Sequence, residues 1–219
     1  MRQNIAIVGS YGSGRSTLSR ALAERTGLPI AYGSAMADPI GAEGKRVHDW
    51  TRGELLQLTV RRHSERIQAE AAHPAGFISD GSILHEPIYA KCRLSAGSYP
   101  LGDDLTAFPR HPVTAAYEDV TDHIGLLARA HASRAYDVVL HLPVEYPLRD
   151  AEPPISEAFR RLTETLLFEA LDAVDARPHT LGGTVDERVE QALAVIAGRS
   201  ATPSEAAPAT DPSIAGAGR

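Results

Sequence analysis

One run of residues near the start of the chain has a spacing that demands a particular chemistry. It reads Gly9, Ser10, Tyr11, Gly12, Ser13, Gly14, Arg15, Ser16 and Thr17. Glycines at this spacing let the backbone curl until successive N–H groups point inward at an anion, and a helix that starts there adds its positive dipole end. The run therefore predicts a phosphate-binding loop, called the phosphate loop (residues 9–17) below.

The phosphate loop matches the nucleotide-binding pattern G-x-x-x-x-G-K-S/T except at one position. Arg15 stands where that pattern, the Walker A motif, has lysine. A guanidinium is larger than an ammonium and planar, yet it binds phosphate through two parallel hydrogen bonds. We expect the loop to bind the phosphates of ATP, with GTP an open alternative, and the Ser16 hydroxyl to hold Mg²⁺. The competing interpretation is a glycine-rich turn without a ligand.

The segments around this loop alternate between strand and helix patterns. Strands are predicted near residues 4–8, 29–32, 77–79, 136–142 and 179–181. Helices are predicted near residues 16–26, 52–72, 83–94 and 114–134, and after Ser156 and Thr184. This alternation indicates an α/β fold with a five-stranded, mostly parallel sheet. Because ligands gather at the carboxyl ends of parallel strands, the segments after Val8, Asp80, Leu142 and Gly182 should converge.

The helix predicted over residues 52–72 begins with a capping box, Thr51 to Glu54. Its apolar stripe at helical spacing predicts the face that packs on the core, formed by Leu56, Val60, Ile67 and Ala71. Its charged residues predict the solvent face, formed by Arg61, Arg62, Glu65 and Arg66.

Composition limits the class of protein. The 219 residues allow one α/β domain, and a net charge of −6 argues against a broad nucleic-acid-binding surface. Cys92 is the only cysteine, which excludes a disulfide framework and favours a reducing cytoplasm. The first strand begins by residue 4, and no apolar run is long enough for a membrane span. We expect a domain over residues 1–198 and a disordered tail over 199–219, which is rich in Ala, Pro and Ser.

Asp80 ends the third predicted strand and would face the phosphate loop if that strand lies beside the first. A carboxylate there can hold Mg²⁺ through water or accept the proton of an acceptor hydroxyl, the two roles that such an aspartate has in phosphoryl transfer. The structural alternative is a cap for the following helix.

Three segments, residues 4–27, 77–85 and 181–189, resemble P-loop small-molecule kinases related to the ribosylnicotinamide kinase domain, and the AAA-type ATPases grouped with them. The resemblance spans about residues 3–197. It implies the three-layer sandwich of P-loop NTPases and an ATP-dependent kinase that phosphorylates a small hydroxylated acceptor, such as a nucleoside.

The third strand of that family is usually followed by Asp-Arg-Ser/Thr-x-x-Asp. Asp80 and Ser82 match this motif, whereas Gly81 replaces its arginine and His85 its second aspartate. Together with Arg15, these departures surround the phosphate site. They can form a matched set in which Gly81 removes one guanidinium and Arg15 supplies another.

By the same resemblance, residues 143–161 correspond to a lid, from which Arg149, Arg160 or Arg161 could close on the transferred phosphate. Gly183 falls where such kinases pack a loop against the nucleotide base; the alternative is a plain turn before a helix. The acceptor would contact the segments after the second and third strands. The candidates there are Asp38, Trp50, His85 and Glu86.

Two further functions compete with the kinase. One is a non-catalytic or slowly hydrolysing nucleotide-binding switch or subunit with a degenerate Walker A motif, which the changes at Arg15, Gly81 and His85 favour. The other is an NTPase that works on a protein partner and needs no small acceptor.

Overall fold

Strands and helices alternate along the chain in a computed structural model, which describes residues 3–32, 38–45, 49–95, 112–147 and 155–201. The strands are β1 (Gln3–Val8), β2 (Ile30–Tyr32), β3 (Gly76–Asp80), β4 (Val138–His141) and β5 (His179–Thr180). The helices are α1 (Arg15–Thr26), α2 (Arg52–Ala71), α3 (His85–Ser95), α4 (Pro112–Ala135), α5 (Glu157–Asp172) and α6 (Val185–Ala201). The predicted elements are all present, and their ends differ from the prediction by a few residues.

The five strands form one sheet in the order β2-β3-β1-β4-β5, and every pairing is parallel. This confirms the prediction of a mostly parallel, five-stranded α/β fold. Strand β3 lies beside β1, with Ile7 opposite Asp80, so Asp80 ends next to the point where β1 enters the phosphate loop. The strand order therefore brings the two sequence motifs to one edge of the sheet.

The sheet is the middle of three layers, with helices on both of its faces, and β1 is therefore buried on both sides. Ala6 and Val8 face a core shared with α3, α4 and α5. Ile5 and Ile7 face a second core shared with α1 and α6. All four side chains are fully buried, as expected for the central strand of a parallel sheet. None of the described helices is long and apolar enough to cross a lipid bilayer.

Helix α2 buries a different face from the one predicted. Its buried residues are Leu55, Leu58, Thr59, Arg66 and Glu70, whereas Val60 is 48% exposed. The predicted stripe was wrong because the helix packs Arg66 and Glu70 inward against buried partners. The Arg66 guanidinium binds the Glu86 carboxylate and the Ser79 hydroxyl, at 3.1 and 2.7 Å. An apolar stripe cannot reveal a helix face that is stabilised by a buried ion pair.

Helix α6 continues through Ala201, so it extends three residues into the predicted tail. The rest of that tail, residues 202–219, lies outside the described residues. So do residues 148–154 in the predicted lid and residues 96–111 between α3 and α4.

The capping box of α2 is present. The Thr51 hydroxyl accepts a hydrogen bond from the Glu54 backbone N–H at 3.2 Å, and the Glu54 carboxylate accepts one from the Thr51 N–H at 2.6 Å. The Lys45 ammonium also binds this carboxylate and, with the Thr51 N–H, lowers the pKa of Glu54 to about 2. The cap therefore fixes the start of the helix that carries Arg62 and Arg66.

We expect Thr51→Ala to lower the free energy of unfolding by about 1 kcal/mol, because it removes an N-cap hydroxyl. Urea denaturation followed by circular dichroism measures this change. Thr165→Ala is the matched control, since its exposed hydroxyl bonds to the Arg161 carbonyl within α5. A change in the control as large as that in Thr51→Ala would contradict the role of the cap.

Candidate active site

The phosphate loop leaves the carboxyl end of the central strand and enters α1. Gly9, Gly12 and Gly14 have φ angles of 146°, 74° and 95°, which favour glycine because it lacks a Cβ atom. A Cβ atom at Gly9 would also collide with the carbonyl oxygen of Leu142, the residue after β4. The glycine spacing is therefore required both by the curl of the loop and by its close approach to the next strand.

The first turn of α1 presents its polar groups to solvent. Ser16 and Thr17 are exposed, and Tyr11 is 37% exposed. The backbone N–H groups at the start of a helix have no partner within the helix, so this end attracts anions. Tyr11, Ser16 and Thr17 thus lie on an open surface at the carboxyl edge of the sheet, whereas Gly9 and Ser13 are buried beneath it.

Arg15 extends toward β3 and lies against Gly81. A Cβ atom at Gly81 would be 3.3 Å from both Arg15 Nη1 and Arg66 Nη2, and 3.7 Å from His85 Nδ1. The φ angle of Gly81 is 91°, which other residues rarely adopt. The absence of a side chain at position 81 therefore makes room for two guanidinium groups, in agreement with the matched set predicted for Arg15 and Gly81.

His85 is buried behind the phosphate loop, with 1% of its surface exposed. The Ser82 backbone N–H donates to its Nδ1 at 3.0 Å, so Nε2 carries the proton and donates to the Gly9 carbonyl at 3.1 Å. Burial, with the nearby charges of Arg15 and Arg66, holds the pKa of His85 well below its usual value. His85 is therefore neutral and supports the loop.

Asp80 and Ser16 are the oxygen ligands expected for Mg²⁺. Asp80 is half-buried at the end of β3, and Ser16 is exposed in the first turn of α1. Among the described residues, no group of three or more His, Cys, Asp and Glu side chains could hold a metal ion. Mg²⁺ does not need such a cluster, because it keeps several water ligands and binds through one or two carboxylates plus substrate phosphates. One carboxylate and one hydroxyl therefore fit this ion.

A cavity of about 220 Å³ adjoins the phosphate loop. The loop contributes Tyr11, Arg15 and Ser16 to its wall. The remaining described lining comes from α2, α3, α5 and the segment before α5: Leu55, Leu58, Thr59, Arg62, Glu86, Tyr89, Ala90, Arg93, Ile155 and Phe159. The cavity thus joins the predicted phosphate site to a wall that is partly apolar and partly charged.

Glu86 lies in this wall between two arginines. Its carboxylate accepts from Arg62 Nε at 2.8 Å and from Arg66 Nη2 at 3.1 Å. Burial alone would raise the pKa of Glu86, but the two guanidinium charges hold the pKa below its usual value. Glu86 therefore remains a carboxylate that orients Arg62, and it is a poor proton acceptor.

Three of the four predicted acceptor contacts lie away from the described wall of this cavity. His85 is behind the phosphate loop, and the Asp38 carboxylate accepts from the Gly44 backbone N–H at 3.0 Å. Trp50 is 6% exposed and packs with Ala42 and Leu58. Trp50 reaches the site only indirectly, since the Arg93 guanidinium lies 4.8 Å from the centre of its ring. Glu86 is the predicted acceptor residue that does line the cavity.

Arg160, one of the predicted lid arginines, is buried and only 2% exposed. Its Nε donates to the Tyr11 carbonyl of the phosphate loop at 3.0 Å, and Nη1 and Nη2 donate to the Tyr146 carbonyl. Its guanidinium therefore contacts the outer side of the loop. Of the other two predicted lid arginines, Arg161 is exposed and Arg149 lies outside the described residues.

Gly183 precedes α6 in the turn predicted to face the nucleotide base. Its N–H donates to Glu145 at 3.3 Å, and its φ angle is 87°. The same Glu145 binds Arg188, whose Nη1 donates to the Ser13 carbonyl at 3.0 Å. Sequence reasoning missed Arg188, as well as Arg62, Arg93 and Tyr89 in the cavity wall. The only available signal was the i, i+4 spacing of Arg62 and Arg66 on α2.

A phosphate loop between the central strand and the first helix of an all-parallel sheet defines the P-loop NTPase fold. A sequence model of the AAA domain matches residues 4–188, and the chain belongs to this family. A search of curated proteins found no match.

Several solved structures share the fold. Deoxyadenosine kinase from M. mycoides with bound dATP has a TM-score of 0.61 and 16% identity, covering 90% of this chain and all of that one. Thymidylate kinase from Candida albicans has a TM-score of 0.60 and 16% identity, covering 91% and 92%. The NadR protein in complex with NR has a TM-score of 0.59 and 14% identity, covering 94% of this chain and 53% of that one. The chain therefore has the fold of P-loop kinases.

The buried, neutral His85 predicts a pH-dependent stability. Its pKa is lower in the folded chain than in the unfolded chain, so the unfolded state binds an extra proton between these two values. The free energy of unfolding should fall as the pH drops below about 6.5, by up to about 1.4 kcal/mol per pH unit. His85→Gln keeps a donor for the Gly9 carbonyl and should flatten this slope.

Urea denaturation at a series of pH values from 7 to 5 measures the effect. His63→Gln is the control, because burial also lowers the pKa of His63 and adds to the slope of the unmodified protein. The slope due to His85 should remain in this variant. An unchanged slope in His85→Gln would show that His85 does not titrate as described.

Proposed function

We propose that this protein is an ATP-dependent phosphotransferase that acts on a small hydroxylated acceptor, such as a nucleoside or a related metabolite. The observation that carries the proposal is the continuity between the phosphate loop and the 220 Å³ cavity. A nucleotide-binding switch needs the loop alone, whereas a kinase needs a second compartment where the acceptor meets the terminal phosphate. The fold shared with deoxyadenosine kinase and thymidylate kinase supports the same choice.

In this proposal the phosphate loop binds the phosphates of ATP, with Gly183 next to the base. Arg15 lies on the wall shared by the loop and the cavity, where it would bind the phosphoryl group during transfer. Ser16 and Asp80 would hold Mg²⁺, which neutralises charge on the phosphates when it is bound. Leu55, Leu58 and Phe159 would pack against the acceptor.

The transfer breaks the bond between the γ-phosphorus and the β–γ bridging oxygen, and forms a bond from phosphorus to the acceptor oxygen. ADP and a phosphorylated acceptor are the products. The acceptor hydroxyl must lose a proton, and we assign its acceptance to Asp80, which would then hold Mg²⁺ only through a water molecule. Glu86 is the less suitable base because it is already bound by two arginines. Catalysis would then depend mainly on positioning and on the positive charge of Arg15.

A nucleotide-binding switch remains the second candidate because Arg15 replaces the usual lysine. Mg²⁺-dependent binding of ATP and GTP, followed by thermal shift, tests the loop itself and chooses between the nucleotides. Transfer of the γ-phosphate to a panel of nucleosides and metabolites then separates the two functions. Binding without transfer to any acceptor would favour the switch.

We also propose a cytoplasmic location, which suits the buried Cys92 thiol, whose pKa is raised by burial to about 12.

We expect Asp80→Asn to reduce phosphoryl transfer at least about 100-fold, the usual scale for loss of general-base catalysis. ATP affinity should change much less, because the loop backbone supplies most contacts with the phosphates. Single-turnover transfer and calorimetric titration measure the two effects separately. The control is Asp38→Asn, whose carboxylate lies in the turn before α2 and bonds to Gly44. Turnover that is unaltered in Asp80→Asn would remove this residue from the mechanism.

We expect Arg15→Lys to slow transfer by about tenfold or more, because Gly81 provides space for a guanidinium that lysine would leave unfilled. The measurement is kcat with the best acceptor from the panel, together with the affinity for ATP. A gain in turnover would instead mean that arginine disables an older lysine site, and would favour the switch.

A further inference from the structure

We propose that His85, Arg160 and Arg188 form a brace, three positioning residues on the outside of the phosphate loop that set its affinity for phosphate. The brace rests on the proposed function only in taking the ligand of the loop to be the phosphate chain of a nucleotide. None of the three residues needs to touch that ligand. Each acts through a carbonyl group of the loop.

The brace binds alternate carbonyls over residues 9–13 of the phosphate loop. His85 donates to the Gly9 carbonyl at 3.1 Å, Arg160 to the Tyr11 carbonyl at 3.0 Å and Arg188 to the Ser13 carbonyl at 3.0 Å. The donors come from α3, α5 and α6, on both faces of the sheet. Three separate helices therefore fix one short loop at alternate residues.

Because the peptide bond is planar, these contacts to the carbonyls also set the direction of the N–H groups on the opposite side of the loop. In a trans peptide, the carbonyl of one residue and the N–H of the next point in opposite directions. Carbonyls of residues 9, 11 and 13 that are held outward therefore aim the N–H groups of residues 10, 12 and 14 the other way. Hydrogen bonding at a carbonyl also polarises the peptide and strengthens the N–H as a donor.

Burial makes the brace rigid and places its charge close to the loop. Arg160 and Arg188 are 2% and 7% exposed, so they are screened little by solvent. Each is held by a carboxylate, Arg160 by Glu157 at 2.8 Å and Arg188 by Glu145 at 2.8 Å. The side chains are therefore ordered before a ligand arrives, and binding does not have to order them.

The brace also connects the loop to the two segments that would surround the rest of a nucleotide. Arg160 binds the Tyr146 carbonyl in the segment after β4. Glu145, the partner of Arg188, accepts from the N–H of Gly183 in the turn after β5. A movement of either segment can therefore shift the phosphate loop, because a single guanidinium group connects each segment to the loop.

The test compares two ligands, MgATP and inorganic tripolyphosphate with Mg²⁺, by calorimetric titration of the full chain. Arg160→Gln and Arg188→Gln should each weaken both ligands by about ten- to a hundredfold, the scale of one lost charged hydrogen bond. The affinity for ATP should fall by at least the same factor as that for tripolyphosphate, because the two guanidinium groups also hold the segments that would surround the rest of the nucleotide. The matched control is Arg25→Gln, which removes an exposed arginine that pairs with Glu190 of α6, and its affinities should stay within about twofold of the unmodified protein.

Tripolyphosphate affinity that is unchanged in both variants would overturn the brace, whether or not the affinity for ATP falls. If either arginine variant does not fold, as judged by circular dichroism, two substitutions at His85 test the brace instead. His85→Gln keeps a donor for the Gly9 carbonyl and should bind tripolyphosphate nearly normally, whereas His85→Leu should bind it at least about tenfold more weakly. Equal affinities of these two variants would contradict the proposal.

Phosphoryl transfer is not measured in this test, so the two proposals can fail separately. If the unmodified protein binds tripolyphosphate but phosphorylates no acceptor, the proposed kinase function is wrong and the brace proposal is unaffected. A working kinase whose brace variants bind tripolyphosphate normally contradicts the brace alone.

Discussion

The constraint on which this structure depends is the polarity of the peptide backbone between β1 and α1. A loop that offers its N–H groups to an anion must turn its carbonyls toward the protein, where an unsatisfied oxygen would be costly. His85, Arg160 and Arg188 meet that need from three helices. The parallel sheet brings those helices within reach, because the segments that follow β1, β3, β4 and β5 meet at one edge. Fold and site are thus joined through a few carbonyl groups rather than through the apolar core alone.

A second polar system supports the other side of the site. Arg66 connects Glu86 to Ser79, and Ser79 in turn donates to Glu70 at 2.9 Å. Glu70 also accepts from the Tyr136 hydroxyl at 2.8 Å, so the network crosses from α2 to the segment before β4. Buried groups of this kind stabilise only when each has a partner, and they then fix one arrangement of the side chains. Arg62 is held in the cavity wall by the same network.

Much of the fold could be predicted from the sequence, because strands, capping residues and glycines act locally. The phosphate loop, the alternating elements and the place of Asp80 beside β1 follow from such local signals. The inward face of α2 could not be predicted, since Arg66 is buried only because Glu86, twenty residues away, lies opposite it. Trp50 was a candidate contact for the acceptor and is instead packed against Leu58. Arg188 gave no signal at all, because its partner is the Ser13 carbonyl of a loop 175 residues earlier. The spacing of residues along the sequence cannot reveal a side-chain role that depends on distant backbone atoms.

Gly81 restricts the order in which substitutions can accumulate during evolution. A larger residue at this position would meet the guanidinium groups of Arg15 and Arg66 and would also be strained by a φ angle of 91°. A side chain at position 81 therefore requires Arg15 and Arg66 to move aside. A guanidinium at position 15 is best accommodated beside glycine, so homologues that carry Arg15 should also carry glycine at position 81.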